Sequence, residues 1–399
     1  MKFCLINNLY PPFSRGGAEK IVQLIAEELL AGNHQVLLIT SKPGGEPERE
    51  VLPNGLEILR IYPGNIYNLL DDFKQSSFKK IIWHVVDFFN SRFALRAIPA
   101  IKAFQPDFIL THNLKWLGMN LSRKLQKNNY KQVHTLHDFQ LLEPHGSFFR
   151  FGQKNPCSNI FYQIYRAIAR VCVGSPALVI SPSAFVLSAH IKFNFFKLSN
   201  KQVLFNPIPT LKNESLIEKK PDRPFTVLFI GQLAKHKGAE FLTAVFKKFS
   251  CVAGERLLLV GAGDQMPALQ QMAMNDSRVA VLGYKTQAEL PEIFKQADLL
   301  VVPTLSLDNS PTVIYEAYTY GLPVLVSNSG GSKELVKENE NGWVFASGNE
   351  QDLLAKLNSA FAARNNFSVM AEANREFIKN LQVKNYIERL LSLCRNLQN

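Results

Sequence analysis

Two carboxylates lie in the first half of the apolar stretch DNSPTVIYEAYTYGLPVLVS, residues 308–327. Asp308 opens the stretch, and Glu316 lies within it among apolar neighbours. A buried carboxylate without partners costs several kcal/mol, so Glu316 is expected to accept hydrogen bonds from hydroxyl or N–H groups. What the two acids bind depends on the elements that position them.

The start of a helix is predicted between the two acids. Ser310 is a favourable N-cap residue, and Pro311 suits the first helical position because it has no N–H to leave unpaired. The helix is predicted to end at Gly321. Since the first N–H groups of a helix have no acceptor within it, those of Thr312 and Val313 form a predicted anion site.

Two lysines, Lys235 and Lys237, lie in the segment QLAKHKGAEF, where a loop leads into a helix at Gly238. A lysine at a helix N-terminus opposes the helix dipole, so its position there favours a compensating anion. A diphosphate would supply that anion. A solvated loop lysine is the alternative interpretation.

Gly16 and Gly17 occupy a similar position in PPFSRGGAEK, after the first predicted strand and before a helix. Without a Cβ, the backbone N–H groups of glycine approach an anion closely, so the pair is a candidate binding site. A simple turn at the start of a helix explains the same residues.

Short apolar runs alternate with amphipathic helical stretches, which is typical of βαβ units on a parallel sheet. The predicted helices include 18–34, 239–249 and 266–274. The predicted strands are 3–7, 35–40, 108–112, 133–137, 177–181, 226–231, 256–261, 279–283, 299–303 and 322–327. The pattern predicts two doubly wound α/β domains that bind ligands at the carboxyl ends of their strands, in a cleft between the domains.

A chain of 399 residues is too long for one ordinary core, which also favours two domains. The first domain is predicted at 1–204 and the second at 225–368. Between them, 205–224 is rich in proline and charge and is predicted to be a linker. The final segment, 369–399, contains an amphipathic helical stretch with no strand after it.

The five cysteines are scattered and contain no C-x-x-C pair, which argues against a disulfide framework or a zinc site. No uninterrupted apolar run approaches the ~18 residues of a membrane span. The N-terminal MKFCLI turns polar at Asn7, too soon for a signal peptide. These features predict a cytoplasmic protein.

Positive charge is concentrated in the first half of the chain. Residues 1–205 hold 24 of the 45 Lys and Arg but only 13 of the 33 Asp and Glu. Within 74–131, eleven basic residues are interleaved with aromatics, and Asp87 and Asp107 are the only acids. The segment is interpreted either as a basic helix face over a buried aromatic face or as a surface for anionic lipid. Nucleic acid is not predicted, because no recognised binding motif accompanies the charge.

Several motifs resemble, in order, those of the retaining glycosyltransferases of family 4 (glycosyltransferase group 1). The donor-site motif consists of Asp308, seven further residues and the pair Glu316-Ala317, and it continues with GLPVLVSNSGGSKELV (321–336). The other motifs are GGAE (16–19), THNL (111–114), TLHD (135–138), SPSAF (181–185), FNPIP (205–209), FIGQLAKHKG (229–238) and LLLVGAGD (257–264). The resemblance covers nearly the whole chain. It implies the GT-B fold, with two Rossmann-like domains facing across a cleft and a C-terminal helix that crosses back to the first domain.

The resemblance also implies roles for the candidate residues. Glu316 would bind the ribose hydroxyls of a nucleoside-diphosphate sugar, and Asp308 would contact hydroxyls of the donor sugar. Lys237 and the helix N-terminus would hold the diphosphate, and His137 would face the reacting sugar, so the implied catalytic set is His137, Asp308 and Lys237. The remaining candidates for donor binding are Gly16, Gly17, Gln232, Lys235, Gly261, Gly263, Ser310, Thr312 and Val313.

Two positions depart from the family pattern. Asp308 stands where Glu is usual, one methylene longer, so contact with the donor sugar is expected to differ. Gln232 stands where the phosphate loop usually has Arg, which removes one fixed positive charge near the leaving group. A charge-assisted hydrogen bond contributes roughly 1.5–3 kcal/mol, and Lys237 and Lys235 are expected to compensate in part.

The implied reaction transfers a sugar from a UDP- or GDP-linked donor to a glycan or lipid-linked acceptor, with retention at the anomeric carbon, in polysaccharide or glycoconjugate biosynthesis. The family implies no cofactor and no metal ion, and the chain lacks a D-x-D motif. The acceptor is expected on the basic, aromatic face of the first domain, with the protein peripheral at the inner face of the membrane. Backbone contacts around 261–284 are expected to select the base.

Three alternatives share parts of this pattern. An NAD-type oxidoreductase would carry G-x-G-x-x-G after its first strand, whereas GAGDQM (261–266) has two of those glycines and lies late in the chain. A nucleotide-sugar 2-epimerase of the same fold would bind the donor without an acceptor. A non-catalytic nucleotide-sugar-binding partner of another transferase would be consistent with Gln232 and Asp308.

Overall fold

The computed structural model describes residues 1–14, 16–144, 146, 159–210, 223–250 and 254–398, without the side chains of Phe73 and Ser77. These residues form two compact units. The first contains the described residues up to Thr210 and those from Gln382 onward, and the second contains 223–381. Residues 211–222 of the predicted linker lie outside the described residues, as do Cys157 and Cys251.

The first unit is built on one sheet. Its strands are β1 (Lys2–Ile6), β2 (Gln35–Ser41), β3 (Glu48–Val51), β4 (Glu57–Ile61), β5 (Phe108–Thr111), β6 (Gln132–Thr135), β7 (Leu178–Ser181) and β8 (Asn200–Val203). They lie in the order β3-β4-β2-β1-β5-β6-β7-β8, and only the β3–β4 pair is antiparallel. The chain order reverses between β1 and β5, which places the ligand-binding position of such a sheet at their carboxyl ends.

Helices cover this sheet. They are α1 (Gly17–Ala31), α2 (Ser77–Phe89), α3 (Arg92–Phe104), α4 (Leu121–Lys127), α5 (Ile160–Val173) and α6 (Ala184–Lys192). In α1, Ile21, Val22, Ile25 and Leu29 recur at helical spacing and are buried in the core against the central strands. The helix ends at Ala31 with Gly32 as its C-cap, three residues before the end of the predicted helix 18–34.

The second unit has a six-stranded sheet, parallel throughout. Its strands are β9 (Phe225–Ile230), β10 (Glu255–Val260), β11 (Val279–Gly283), β12 (Leu299–Val302), β13 (Val324–Ser327) and β14 (Gly342–Phe345). Their order is β11-β10-β9-β12-β13-β14, so the chain order reverses between β9 and β12. The helices are α7 (Ala239–Phe246), α8 (Met266–Met274), α9 (Leu290–Gln296), α10 (Thr312–Thr319), α11 (Glu350–Ala362) and α12 (Phe367–Lys379).

The C-terminal segment is two helices rather than the single helix predicted for 369–399. Helix α12 belongs to the second unit, and α13 (Val383–Asn396) belongs to the first. The backbone becomes extended at Gln382, and the Val383 N–H bonds the Ile208 carbonyl at 2.8 Å. The buried residues of α13 then join the core around α1.

The predicted α/β class with two doubly wound sheets is confirmed. Of the two interpretations of 74–131, a basic face over buried aromatic side chains is supported for four of its aromatic residues. Trp83, Phe88, Phe93 and Trp116 are buried, whereas Phe78 is exposed. In the described part of the chain, no helix has both the length and the apolarity needed to cross a membrane.

Candidate active site

The candidate donor residues gather where the second sheet reverses its order. The loop after β9 continues into a 3-10 turn at Lys235–Lys237, which contacts the loop after β12. The Leu305 N–H bonds the His236 carbonyl at 2.9 Å. A Cβ on Gly238 would lie 2.1 Å from the Pro303 carbonyl oxygen, so only glycine permits this approach. The fold thereby brings two distant stretches of sequence to one edge.

Lys237 and Asp308 form an ion pair at this edge, with 2.6 Å between Nζ and Oδ2. Both side chains are partly exposed, at 30% and 23%. Burial alone would raise the pKa of Asp308, but the Lys237 ammonium outweighs it and holds that pKa below its ordinary value. Two residues predicted to face a ligand thus position each other, and Asp308 stays ionised at neutral pH.

The loop after β13 supports Asp308 from its other side. The Gly331 N–H bonds the Asp308 carbonyl at 2.8 Å. Gly330 has φ +76°, and a Cβ there would lie 2.0 Å from the same oxygen. Sequence reasoning did not assign these glycines a role, although the Gly-Gly pair in SNSGGSKE was the available signal.

Helix α10 begins one residue later than predicted. Pro311 is its N-cap, with extended backbone, so Ser310 does not cap it and Pro311 is not the first helical residue. The Ser310 hydroxyl instead lies 2.5 Å from the Tyr315 hydroxyl, and both side chains are buried. The Tyr315 hydroxyl therefore takes the side-chain partner that the capping rule assigned to the backbone.

Thr312 and Val313 are the first two residues of α10, as predicted, and both are half-buried. Glu316 lies four residues after Thr312, on the same face of the helix, and is also half-buried. The helix ends before Gly321, which has φ +69°. The carboxylate and the N-terminal N–H groups are thus presented by one short, well-positioned helix.

Gly261 and Gly263 have a steric role that the sequence did not reveal. Gly261 has φ +144°, and a Cβ there would lie 1.8 Å from the Gly231 carbonyl oxygen. A Cβ on Gly263 would lie 2.2 Å from the Leu233 carbonyl oxygen. These two glycines let the loops after β9 and β10 pack backbone to backbone. Gln232 and Lys235, on the first of these loops, are exposed.

The remaining candidates lie in the first unit, where they line one cavity of about 340 Å³. Gly16 and Gly17 form one side of it, at the start of α1. The Gly16 N–H donates to Glu19 Oε2 at 3.1 Å, so this turn is a helix start, which both interpretations predicted. His137 lines the same cavity, two residues beyond the end of β6.

The imidazole of His137 is uncharged at pH 7. Its Nε2 lies 2.9 Å from Nδ1 of His112, which is buried. Burial lowers the pKa of His137 to about 4. Burial, followed by the proximity of His137, lowers the pKa of His112. His137 therefore offers the cavity a hydrogen-bonding imidazole without a charge.

Sequence reasoning missed several residues that line the cavity. Lys80 and His84 reach it from α2, and Lys115 and Asp138 from the strand-end loops. Burial raises the pKa of Asp138 to about 6. The four-residue spacing of Lys80 and His84, opposite apolar positions of α2, was the signal available in the sequence. No group of three or more potential metal ligands occurs within the ranges that the structure describes.

Two family models match the chain. The model of glycosyltransferase family 4 matches residues 15–210, and that of glycosyl transferases group 1 matches residues 212–381. The chain belongs to the group 1 glycosyltransferases. The predicted resemblance to this family is therefore confirmed over nearly the whole chain.

Similar proteins include two from bacteria. An uncharacterized 42.6 kDa protein in the cps region of Klebsiella pneumoniae is 27% identical over 340 residues, which is 84% of this chain and 87% of that protein. The amylovoran biosynthesis glycosyltransferase AmsK of Erwinia amylovora is 27% identical over 67% of this chain and 65% of its own length.

Solved structures share the fold of this glycosyltransferase. Sucrose-phosphate synthase from Thermosynechococcus elongatus matches with a TM-score of 0.78 at 18% identity, over 99% of this chain and 98% of that one. Anabaena HepE in complex with UDP-glucose matches with a TM-score of 0.69 at 19% identity, over 98% and 99%. The fold is GT-B, as the sequence predicts.

Proposed function

We propose that this chain is a retaining glycosyltransferase that moves a sugar from a nucleoside-diphosphate sugar to an acceptor hydroxyl. The observation that supports this best is the Lys237–Asp308 ion pair beside the start of α10, with Glu316 one turn into that helix. A diphosphate is bound by a cation and by the N–H groups of a helix N-terminus. The hydroxyls of a sugar and of a ribose donate hydrogen bonds to carboxylates. The similarity to HepE, whose structure contains UDP-glucose, supports the same class of donor.

The proposed chemistry depends on where charge develops. When the bond to the diphosphate breaks, negative charge grows on the phosphate and positive charge on the anomeric carbon. Lys237 and the N–H groups of Thr312 and Val313 stabilise the phosphate, and they are positioned before the reaction begins. Glu316 accepts hydrogen bonds from the ribose hydroxyls, and Asp308 holds the Lys237 ammonium and contacts the sugar.

His137 suits a position beside the reacting sugar because it is neutral. An imidazolium would repel the positive charge that develops at the anomeric carbon, and the lowered pKa of His137 prevents its formation at neutral pH. The imidazole donates or accepts a hydrogen bond with a sugar hydroxyl instead. The acceptor proton leaves to a phosphate oxygen of the donor, so the reaction needs no carboxylate base.

The proposed acceptor is a glycan or a lipid-linked glycan in polysaccharide or glycoconjugate biosynthesis. It binds in the first unit, where the cavity is lined by both acidic and basic side chains. The similarity to a glycosyltransferase of amylovoran biosynthesis supports a polysaccharide pathway. We also propose that the protein is cytoplasmic and associates peripherally with the membrane through the basic segment 74–131.

Calorimetric binding of UDP and of GDP to the purified protein and to Glu316→Ala tests the donor site. We expect one nucleotide to bind the wild type and to bind Glu316→Ala at least tenfold more weakly, because the loss of a hydrogen bond to a charged group costs roughly 1.5–3 kcal/mol. Glu292→Ala is the matched control, since Glu292 is exposed on α9 and pairs with Lys295. Binding of neither nucleotide, or equal binding by Glu316→Ala, would contradict the proposal.

A further inference from the structure

Helix α2 exposes one continuous apolar face. Phe78, Ile81, Ile82, Val85 and Phe89 are 72%, 47%, 39%, 53% and 61% exposed. At 3.6 residues per turn, these positions fall within an arc of about 100°. Single exposed apolar residues are ordinary on a protein surface, whereas a contiguous patch marks an interaction site.

The opposite face of α2 points into the protein. Lys80 and His84 line the cavity that also contains His137, and Asp87, one turn further along, is buried. An α-helix with its side chains is about 10–12 Å across. The apolar face and the cavity that holds the candidate catalytic histidine are therefore separated by about one helix diameter.

Helix α5 contacts α2 and exposes a second apolar stripe. The rings of Phe88 and Tyr165 have centroids 4.9 Å apart, which fixes the two helices side by side. On α5, Ile160, Ile164 and Val171 recur at helical spacing and are 67%, 53% and 71% exposed. This helix lies outside 74–131, so the sequence did not associate it with the same surface.

The charge around these helices is predominantly basic. Lys79 on α2 and Arg92 at the start of α3 are exposed. The acids just before α2 are paired with lysines, Asp71 with Lys74 and Asp72 with Lys80. On the α5 side, the chain contains no Asp or Glu between positions 143 and 214. An apolar face with a basic border is complementary to a leaflet that contains anionic lipid.

We propose that the exposed faces of α2 and α5 dock together on an anionic membrane leaflet. Amphipathic helices bury their apolar face about 5–10 Å into the boundary between headgroups and acyl chains. At that depth the cavity beyond α2 lies just outside the headgroups. A lipid-linked acceptor then reaches His137 while its lipid remains in the bilayer. Only this last step rests on the proposed transferase function, because docking depends on α2 and α5 alone.

Flotation of the full-length protein with vesicles tests the docking surface. The vesicles contain phosphatidylcholine either alone or mixed with phosphatidylglycerol, at low and high salt. We expect flotation with the anionic vesicles that weakens with salt. The double variants Phe78→Ser/Phe89→Ser and Ile164→Ser/Val171→Ser should each reduce the partition coefficient about tenfold or more, since each buried apolar side chain favours the apolar phase. Leu198→Ser, at an 89% exposed site in the same unit, should float like the wild type.

Several results would overturn the proposal. These are no flotation of the wild type, wild-type flotation of either double variant, or a dimer in sedimentation velocity that Phe78→Ser/Phe89→Ser dissociates. The last result would make the face an interface between copies of this chain. Calorimetric nucleotide binding by the same preparations reports on the donor site separately, so failure of docking and failure of the proposed function are distinguished.

Discussion

At the scale of single residues, the Lys237–Asp308 ion pair is expected to contribute to catalysis and little to folding stability. Its side chains are partly exposed, and exposed pairs contribute about 0–1 kcal/mol to folding. The same ammonium facing a diphosphate in a site closed to water would contribute much more, because electrostatic attraction strengthens as water is excluded. Effects of changing the pair should therefore appear in catalysis and not in unfolding.

We expect Lys237→Met to lower kcat/KM roughly 10–150-fold, the equivalent of one hydrogen bond to a charged group. Its free energy of unfolding should change by about 1 kcal/mol or less. A double-mutant cycle with Asp308→Asn should be non-additive, because each residue positions the other. Steady-state kinetics and urea unfolding measure both quantities. Additive kinetic losses would show that the pair does not act as a unit.

His137 provides a test by pH. Its pKa in the folded protein is about 4, against about 6.5 in an unfolded chain. Between these values the unfolded state binds a proton that the folded state does not, so His137 makes stability fall as the pH drops. Asp138, with a pKa raised to about 6, has the opposite effect below that pH.

His137→Gln should therefore lose less stability than the wild type between about pH 7 and pH 5, by about 2 kcal/mol. Urea unfolding at the two pH values measures the difference. If the variant and the wild type lose the same stability, then His137 is not held neutral by burial. The pH profile of kcat is a second measurement. It should show that activity does not depend on protonation of His137.

At the scale of elements, the sequence predicted the strands and helices that obey local rules. Strands β1, β9 and β10 are buried apolar runs and lie close to their predicted positions. Short strands such as β4 and β14 were missed, because four or five residues beside turns carry little periodic signal. The start of α10 was placed one residue early, since capping preferences do not describe the bond between the Ser310 and Tyr315 hydroxyls. The ion pair joins residues 71 positions apart, which no local pattern indicates.

The backbone packing of the strand-end loops gives a prediction at this scale. Gly263→Ala should destabilise the second unit by about 3 kcal/mol, because its Cβ would lie 2.2 Å from the Leu233 carbonyl oxygen. Gly231→Ala is the matched control, since the nearest atom to its Cβ is in the Phe229 ring at 3.6 Å. Thermal unfolding compares the two variants. Equal melting temperatures would mean that the loops after β9 and β10 separate at little cost.

At the scale of the whole molecule, the chain builds its two units differently. The described residues of the second unit all lie within 223–381, whereas the first unit combines residues up to Thr210 with α13. Val383, Tyr386, Ile387 and Leu390 of α13 are buried in the core that contains α1. Burial of four such side chains stabilises by up to about 10 kcal/mol, which is comparable with the whole stability of a domain.

The two units should therefore differ in whether they fold when produced as separate fragments. Residues 211–381 alone should unfold cooperatively and bind the nucleotide within a few-fold of the intact protein, because Lys237, Asp308 and Glu316 all lie within them. Residues 1–210 alone should not fold cooperatively, and fusion of 382–399 to their C-terminus should restore folding by covering α1. Thermal unfolding and hydrogen exchange distinguish these states. A cooperative transition in 1–210 at the temperature of the fusion would show that α13 covers the first unit without stabilising it.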